Sequence, residues 1–589
     1  MAGLWLDPEE EKIEQFRMLS KLKIGENRSA EKDPFIKLLF TERSNRLSRF
    51  RVGDIVIVYP NEENEKTANH YQLFKGSIIE MKEEYVLVRL RAQQMNDSIF
   101  DKYTLWNIEP DFLDGGNRRM FESLYRFMLV PKEKRETWLS RKAPTKIEAD
   151  ENLTFEGTTP QQTQILNEII KAQDYYLLWG PPGTGKTSVM LKHLVDYHFH
   201  KTSQNILLLA YTNRAVDEIC DAIESIDESM HEKYLRIGSR YSTKERFVKR
   251  MLSNKLEEIN NRQELLNLLQ ETRIFTSTVS SMLGKMNLLS LKKFDLVIID
   301  EASQLLEPML LGLVSQFTKV VLIGDHKQLP AVVTQSSTFS KVKDEELQNI
   351  GLEDMADSLF QRMYHQAKKN NWDWCMGILT QQGRMHRHIM KFATNNFYDG
   401  QLEILDKLDR LSDDLELSGA SPAFQFLEKE RMIFIDTPID DVLTQKINLH
   451  ESKYVVEIVQ QLINIYGSEN REIKSDSIGV ITPFRAQIAK ISEDFQKNKI
   501  DNKFITIDTV ERYQGGARDH IIISLVTNDR NVLNMISNKS MDGIDRKLNV
   551  AITRAREQLI ILGNRKILEN DPSYKELIEH CTIAPIDHS

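Results

Sequence analysis

The chain has 589 residues and a net charge of −9, from 78 lysines and arginines against 87 aspartates and glutamates. It is too long for one compact domain, and about 150 residues per domain predicts three or four. It is also too acidic to coat nucleic acid with its whole surface, so any polyanion must lie in a local channel. Cys220, Cys375 and Cys581 stand far apart, with no CxxC spacing and no histidine at metal-ligand distance, which predicts small buried thiols in place of disulfide, zinc or iron–sulfur sites. No segment approaches the roughly 18 apolar residues of a membrane span. The opening MAGLWLDPEEEKIEQF turns acidic where a signal peptide is apolar. A soluble chain with no membrane partner is expected, in the cytoplasm or, in a eukaryote, the nucleus.

In chain order, residues 1–45 read as a charged helical segment. From Phe50 the pattern alternates, FRVGDIVIVYP and then LFKGSIIEMKEEYVLVRLRA, with Gly53 and Gly76 as breaks, and predicts a small β-barrel over 46–112. A helical stalk or linker over 113–150 ends near Ala143-Pro144. From Asn152 apolar runs alternate with amphipathic helical stretches, the pattern of an α/β fold with parallel sheets. The first set of strands is YYLLW (175–179), NILLLA (205–210), RIFTS (273–277), DLVIID (295–300) and VVLIGD (320–325), with a partly basic helical insertion at about 225–270. The second set is RMIFID (431–436), SIGVITP (477–483), FITIDT (504–509), HIIISLV (520–526) and QLIILGN (558–564). Two sheets of similar make-up predict two α/β domains, 151–345 and 346–589. Residues 233–255, with eight basic side chains against Glu245, and residues 117–146 could each line a channel or simply form a solvated helix face.

GPPGTGKT, Gly180 to Thr187, follows an apolar strand and precedes a helical stretch, the setting a P-loop needs. Its glycines let backbone N–H groups close on phosphates at a helix N-terminus. Gly180, Gly183, Thr184, Gly185, Lys186, Thr187 and Ser188 form the expected ATP-binding set, with Lys186 on the β- and γ-phosphates and Thr187 offering its hydroxyl to Mg²⁺. DEAS, from Asp300, ends a strand downstream. Asp300 is placed for the Mg²⁺ shell and Glu301 for orienting and deprotonating the attacking water. GDHKQLP follows the next strand, where Gln328 could sense the γ-phosphate.

The second α/β unit supplies arginines that a one-domain ATPase lacks. QGRMH (Gln382 to His386) and NVAITRAR (Asn549 to Arg556) place Arg384 and Arg554 where they could face the P-loop across a cleft, stabilising charge on the transferred phosphoryl group.

Together, Gln164, GPPGTGKT, AYTNRAVDEI, DEAS, GDHKQLP, QGRMH, IGVITPFRAQ, TVERYQG and LNVAITRAR form an ordered series over about 150–565 that resembles the superfamily 1B helicases. The similarity is to the group holding the RNA-surveillance helicase and the Okazaki-fragment nuclease-helicase. It implies two tandem RecA-like domains, with the barrel and the helical insertion as accessory domains. It also implies that Gln164 reads the adenine edge and that Gln514 and Gly515 line the interdomain cleft, Gly515 on the nucleotide side. Thr212, Asn213 and Thr278 of the first domain, with Pro483 and Thr509 of the second, would contact the backbone of a nucleic-acid strand. YTxxAVD and DYYLLWG look closer to the DNA-processing branch.

The expected activity is a 5′-to-3′ ATP-dependent helicase or translocase on single-stranded DNA, with RNA as the alternative strand, working as a monomeric motor with ATP and Mg²⁺. An ATP-gated clamp, or the motor half of a nuclease-helicase with its nuclease in cis or in trans, are the alternatives. A metabolic P-loop kinase or transporter ATPase fits poorly with the paired arginines and second sheet. Two positions depart from the family: Gly383, where an aromatic usually precedes the arginine of QxRMH, and Ala517, where a glutamate commonly stands.

Overall fold

The computed structural model describes residues 7–14, 16–45, 48, 50, 52–61, 70–111, 116–147, 152–333, 335, 337–405, 408, 411, 413–440, 446–501, 503–513, 516–537, 539 and 543–585. They fall into two units, Met1–Met120 with Ser239–Thr243, and Phe121–Gly238 with Lys244–Ser589.

In the first unit, period-2 apolar patterning builds strands β1 (Leu19–Arg28), β2 (Phe35–Leu39), β3 (Ile55–Asn61), β4 (Phe74–Met81), β5 (Tyr85–Leu90) and β6 (Leu105–Pro110). They close into an antiparallel barrel in the order β1-β2-β5-β4-β3-β6. Val86, Val88 and Leu90 of β5 point inward beside Ile36, Phe74 and Trp106, with outward residues alternating between them. Closure removes the exposed strand edges that a sheet this small would otherwise carry. The expectation of a helical segment over 1–45 is corrected here. Among the described residues of that stretch only Glu9–Glu14 is helical, and β1 and β2 are barrel strands. The reason is local: Lys21 takes φ 57°, which breaks the alternation and turns both Leu19 and Leu22 inward, so a strand acquires helix-like spacing.

In the second unit, near-continuous apolar runs form two parallel sheets buried on both faces. The first contains β7 (Tyr175–Trp179), β8 (Ile206–Ala210), β9 (Tyr234–Ile237), β10 (Ile274–Thr278), β11 (Leu296–Asp300), β12 (Lys319–Gly324) and β13 (Met376–Ile378), in the order β13-β7-β12-β11-β8-β10-β9. A parallel pair, β14 (Gln381–Gln382) and β15 (Glu403–Ile404), follows. The second sheet contains β16 (Met432–Asp436), β17 (Ile478–Ile481), β18 (Ile505–Asp508), β19 (Arg518–Ser524), β20 (Ala555–Gly563) and β21 (Thr582–Ile583), in the order β18-β17-β19-β20-β16-β21.

Two expected boundaries shift. The first α/β domain does not end at 345, because β13 pairs with β7 and the helix Leu359–Lys369 packs Phe360 and Tyr364 into the core around Trp179. Nor is the insertion at 225–270 purely helical. β9 joins the sheet edge beside β10, and two helices, Leu252–Glu257 and Arg262–Glu271, follow short 3₁₀ turns. The helices Gly116–Met128 and Lys132–Trp138 occupy the expected stalk. Arg362, with 1% of its surface exposed, fastens that stalk by donating to Trp138 O (2.8 Å) and Ser140 Oγ (3.3 Å) while pairing with Glu307 (2.7 Å). Cys220 and Cys375 are buried and free, and Cys581 is half-buried and free. No helix among the described residues is long and apolar enough to cross a membrane.

Candidate nucleotide site and interdomain cleft

The C-terminal ends of β7, β11 and β12 lie side by side, and each delivers one motif. After β7 the chain turns through Gly183 (φ 79°) and Gly185 (φ 83°), conformations that only glycine adopts freely. Gly180 N–H ties the loop to Gly324 O of β12 (3.0 Å), and Thr184 Oγ1 closes it on Pro181 O (2.8 Å). The next turn is wide: Gly185 O accepts from both Val189 N and Met190 N at 2.9 Å. Thr187 Oγ1 donates to Asp300 Oδ2 (2.7 Å), Lys186 Nζ lies 3.9 Å from Glu301 Oε1, and Ser188 is exposed on the same turn.

Asp300 is 3% exposed, and burial together with the charge of Glu301 pushes its carboxyl up to about 6, against the pull of Lys186 and Thr187. Glu301 sits at φ 55°, a left-handed conformation that costs a non-glycine residue on the order of 1 kcal/mol. Gln304 Nε2 holds its Oε2 at 2.8 Å. Two hard oxygens, Thr187 Oγ1 on the turn that follows the P-loop and Asp300 Oδ2 at the end of β11, fit Mg²⁺, which takes one or two protein oxygens and completes its shell from phosphates and water.

After β12, Asp325 anchors a buried network. It accepts from Trp179 Nε1 (2.9 Å), Gln328 Nε2 (2.6 Å) and Tyr398 OH (2.8 Å). Gln328 Oε1 in turn accepts from Arg554 Nη2 at 3.0 Å, so the expected phosphate sensor and the expected arginine finger meet directly. Asn549 Nδ2 adds a second bridge, to Lys327 O at 2.8 Å. Arg384 arrives at the P-loop itself: Gly383 N donates to Gly183 O (3.0 Å), and a Cβ on Gly183 would lie 2.5 Å from that of Arg384. Burial and the like charge of Arg554 pull Arg384 down to about 9, with Glu218 and Glu301 opposing.

The structure does not bring Gln164, expected to read the adenine edge, to the P-loop. Gln164 is exposed and donates to Glu168 (2.9 Å) on the helix Pro160–Lys171. Gln162, two residues earlier and so about 200° round the helix, is buried and donates Nε2 to Thr184 O of the P-loop (3.2 Å). Gln161 bonds Thr380, accepting its N–H at 3.0 Å. The sequence signal was there in the run TTPQQTQ, where helix phase separates the three glutamines.

The expected strand-contacting residues stand at strand ends, several of them as caps. Thr212 Oγ1 caps the helix Asn213–Glu224 through Ala215 N (3.1 Å). Thr278, 6% exposed, accepts from Ser281 N (3.1 Å) and donates to Ser281 Oγ (2.9 Å). Asn213 O holds Arg236 Nη2 (3.3 Å), and Pro483 and Thr509 follow β17 and β18 half-buried. Gln514 and Gly515 lie outside the described residues. The basic run 233–255 is largely paired: Arg236 is buried on Asp217, Lys244 and Arg246 meet Asp221, and Arg250 meets Glu232.

Comparison with known proteins agrees with this geometry. Two family models, each described as an AAA domain, match residues 158–264 with 228–336, and residues 355–566. The chain is 30% identical over 426 residues to the DNA replication ATP-dependent helicase/nuclease JHS1 of Arabidopsis thaliana, covering 70% of this chain and 28% of that protein. It is 26% identical to an uncharacterized ATP-dependent helicase of Methanocaldococcus jannaschii, over 80% of this chain and 78% of that one. It is 29% identical to regulator of nonsense transcripts 1 of Dictyostelium discoideum, over 71% of this chain and 32% of that one. The chain spans 28% to 40% of the length of the helicase/nucleases of Arabidopsis thaliana, Xenopus laevis and Bos taurus that it matches. With its nucleotide motifs on one sheet, Arg384 beside the P-loop and Arg554 immediately before a strand of the second sheet, the chain belongs to the superfamily 1B helicases.

Proposed function

We propose that this protein is an ATP-driven motor that moves 5′ to 3′ along single-stranded nucleic acid, DNA in preference to RNA, and unwinds duplex. The observation that carries the reading is the contact between Arg554 and Gln328 at 3.0 Å, which joins the second sheet to the strand end beside the P-loop. A nucleotide bound there touches both domains, so its hydrolysis changes how firmly they are held together.

Lys186 binds the phosphates, Glu301 orients and deprotonates water, and Arg384 and Arg554 stabilise charge on the transferred group. Mg²⁺ held by Thr187 and Asp300 would neutralise phosphate charge. Thr212, Asn213, Thr278, Pro483 and Thr509 line strand ends on both sheets, where backbone contacts without base reading give little sequence preference. We place the motor as a monomer in the cytoplasm, or in the nucleus of a eukaryotic cell. The similarity to helicase/nucleases supports DNA as the strand and a nuclease in cis or in trans as the partner.

The test is strand displacement on tailed duplexes, with DNA and RNA loading strands compared. A duplex with a 5′ tail is unwound and one with only a 3′ tail is not, and equal use of both tails would remove the polarity. ATP-dependent binding with no displacement on either substrate would leave a clamp.

A further inference from the structure

One side chain in the cleft belongs to none of the roles above. Arg214, in the first turn of the helix Asn213–Glu224, crosses from the first α/β domain to the second and donates Nη1 to Arg512 O (3.3 Å). Its Nε lies 3.5 Å from Glu218 Oε1, one turn along the same helix, which fixes the direction of the long side chain. The guanidinium lies over Gly516, where a Cβ would collide with it. Gly516 has no positive φ, so its lack of a side chain serves space and not backbone conformation. The carbonyl of this same Gly516 accepts Arg554 Nη1 (3.3 Å), and Arg554 Nη2 reaches Gln328.

We infer that Arg214 is a positioning residue for Arg554: it holds Arg512 and Gly516 of the second domain against the first, and Gly516 O then aims the Arg554 guanidinium at the nucleotide cleft. Glu218 offsets the positive charge that Arg214 brings close to Arg554. The inference deepens the proposed ATP-driven cycle and rests on that reading for the roles of Arg554 and the cleft. Misplacing a group by about 1 Å can cost up to a hundredfold in rate without touching the substrate, so an indirect role can be large.

The test is kcat and KM for ATP, with and without oligo(dT), for Arg214→Ala, Gly516→Ala and the double variant. Arg214→Ala is expected to lower kcat about tenfold with KM for ATP changed less than about twofold, since the P-loop is untouched. Gly516→Ala keeps the charge of Arg214 but displaces its flexible end, so it should lower kcat by a similar factor. The double variant should then be no slower than the slower single one, because both break one contact. A wild-type kcat in either single variant overturns the inference, as do effects that multiply in the double. A KM rise that matches the kcat loss overturns it too, since that indicates general damage to the domain. Failure of the wild type to respond to oligo(dT) would strike the nucleic-acid reading alone, because kcat without oligo(dT) still compares the variants.

Discussion

Each parallel sheet of the second unit carries one non-glycine residue in the left-handed region just beyond a central strand: Glu301 at φ 55° after β11, and Val526 at φ 56° after β19. In the first sheet the strained residue is itself the proposed catalytic base, its carboxylate turned toward Lys186 at the cleft. In the second, the strained residue is a fully buried valine, and its N–H donates to a carboxylate from elsewhere, Glu451, at 2.8 Å. Glu451 also accepts from Ser524 Oγ (2.6 Å) and Thr527 N (3.3 Å), and nothing of it is exposed. Beside it Asn448 bonds both Gln487 and Asn528, so polar groups at this sheet end satisfy each other. Similar strand-end geometry thus serves two purposes. One sheet leaves its carboxylates partnered by a lysine and open to phosphate chemistry, while the other closes them into the fold.

The comparison breaks most visibly at Glu301. Glu301→Gln keeps the shape and removes the base, so kcat should fall about a thousandfold with nucleotide affinity held by the P-loop; near-normal turnover in single-turnover assays would contradict its role. Arg554→Ala should cost about a hundredfold in kcat, and it leaves Gln328 Oε1 without its buried donor. Lys186→Ala, in contrast, should weaken nucleotide binding itself, read by titration with a fluorescent ATP analogue.

At Glu451 the expected loss is stability. Glu451→Ala leaves the N–H groups of Val526 and Thr527 without an acceptor in a buried site and should destabilise the protein by about 3 kcal/mol. Burial pushes the Glu451 carboxyl up to about 7, against the hydrogen bonds from Ser524, Val526 and Thr527. Because the folded value lies above the ordinary 4.5, the proton is held more tightly in the folded state. The stability it contributes is therefore full below about pH 4.5 and lost as pH rises through about 7. Urea denaturation of the wild type and Glu451→Gln between pH 5 and 8 should show their difference shift across that window. A constant difference would mean that Glu451 stays ionised throughout.

How far these sites were legible follows from how each side chain is held. β7, β8, β11 and β12 were readable because strands buried on both faces show as unbroken apolar runs, and their ends carry the P-loop and DEAS at short range. Lys21 made β1 unreadable by breaking its period, and β9 and β13 are too short to show one. The place of Gln164 is not legible from its distance along the chain to the P-loop, because the helix presents Gln162 there. Arg214 and Glu218 did leave a trace, as an i,i+4 pair inside YTNRAVDEI. Their link to Gly516 depends on a fold that joins residues about 300 apart, and no local pattern encodes that.

The smallest expected effect concerns which nucleotide the first sheet end accepts. Gly383 stands where the family usually has an aromatic, and the structure sets its N–H on Gly183 O of the P-loop (3.0 Å), so the position does face the nucleotide site. Tyr513 cannot supply the missing stacking, because it is 2% exposed and its hydroxyl donates to Thr506 O. The side chain of Ala517 offers no hydrogen bond where a glutamate is common. A stacking contact and a hydrogen bond are worth about 1 kcal/mol each, so losing both relaxes base and sugar selection about tenfold or more. Gln161 and Gln162, on the helix that leans on the P-loop, are both already bonded, to Thr380 and to Thr184. The kcat/KM values for ATP, dATP, GTP and CTP are therefore expected to fall within about a factor of ten of one another. A preference for ATP beyond about a hundredfold would show that the two glutamines discriminate unaided. Gly383→Tyr should restore a preference for purines, though modestly. A Cβ at that position already meets Leu408 and Leu405 at 3.3 Å and 3.4 Å, so the ring must push past two leucines before it can stack. An unchanged preference in that variant, with the fold intact by thermal melting, would show that the leucines turn the ring away from the base.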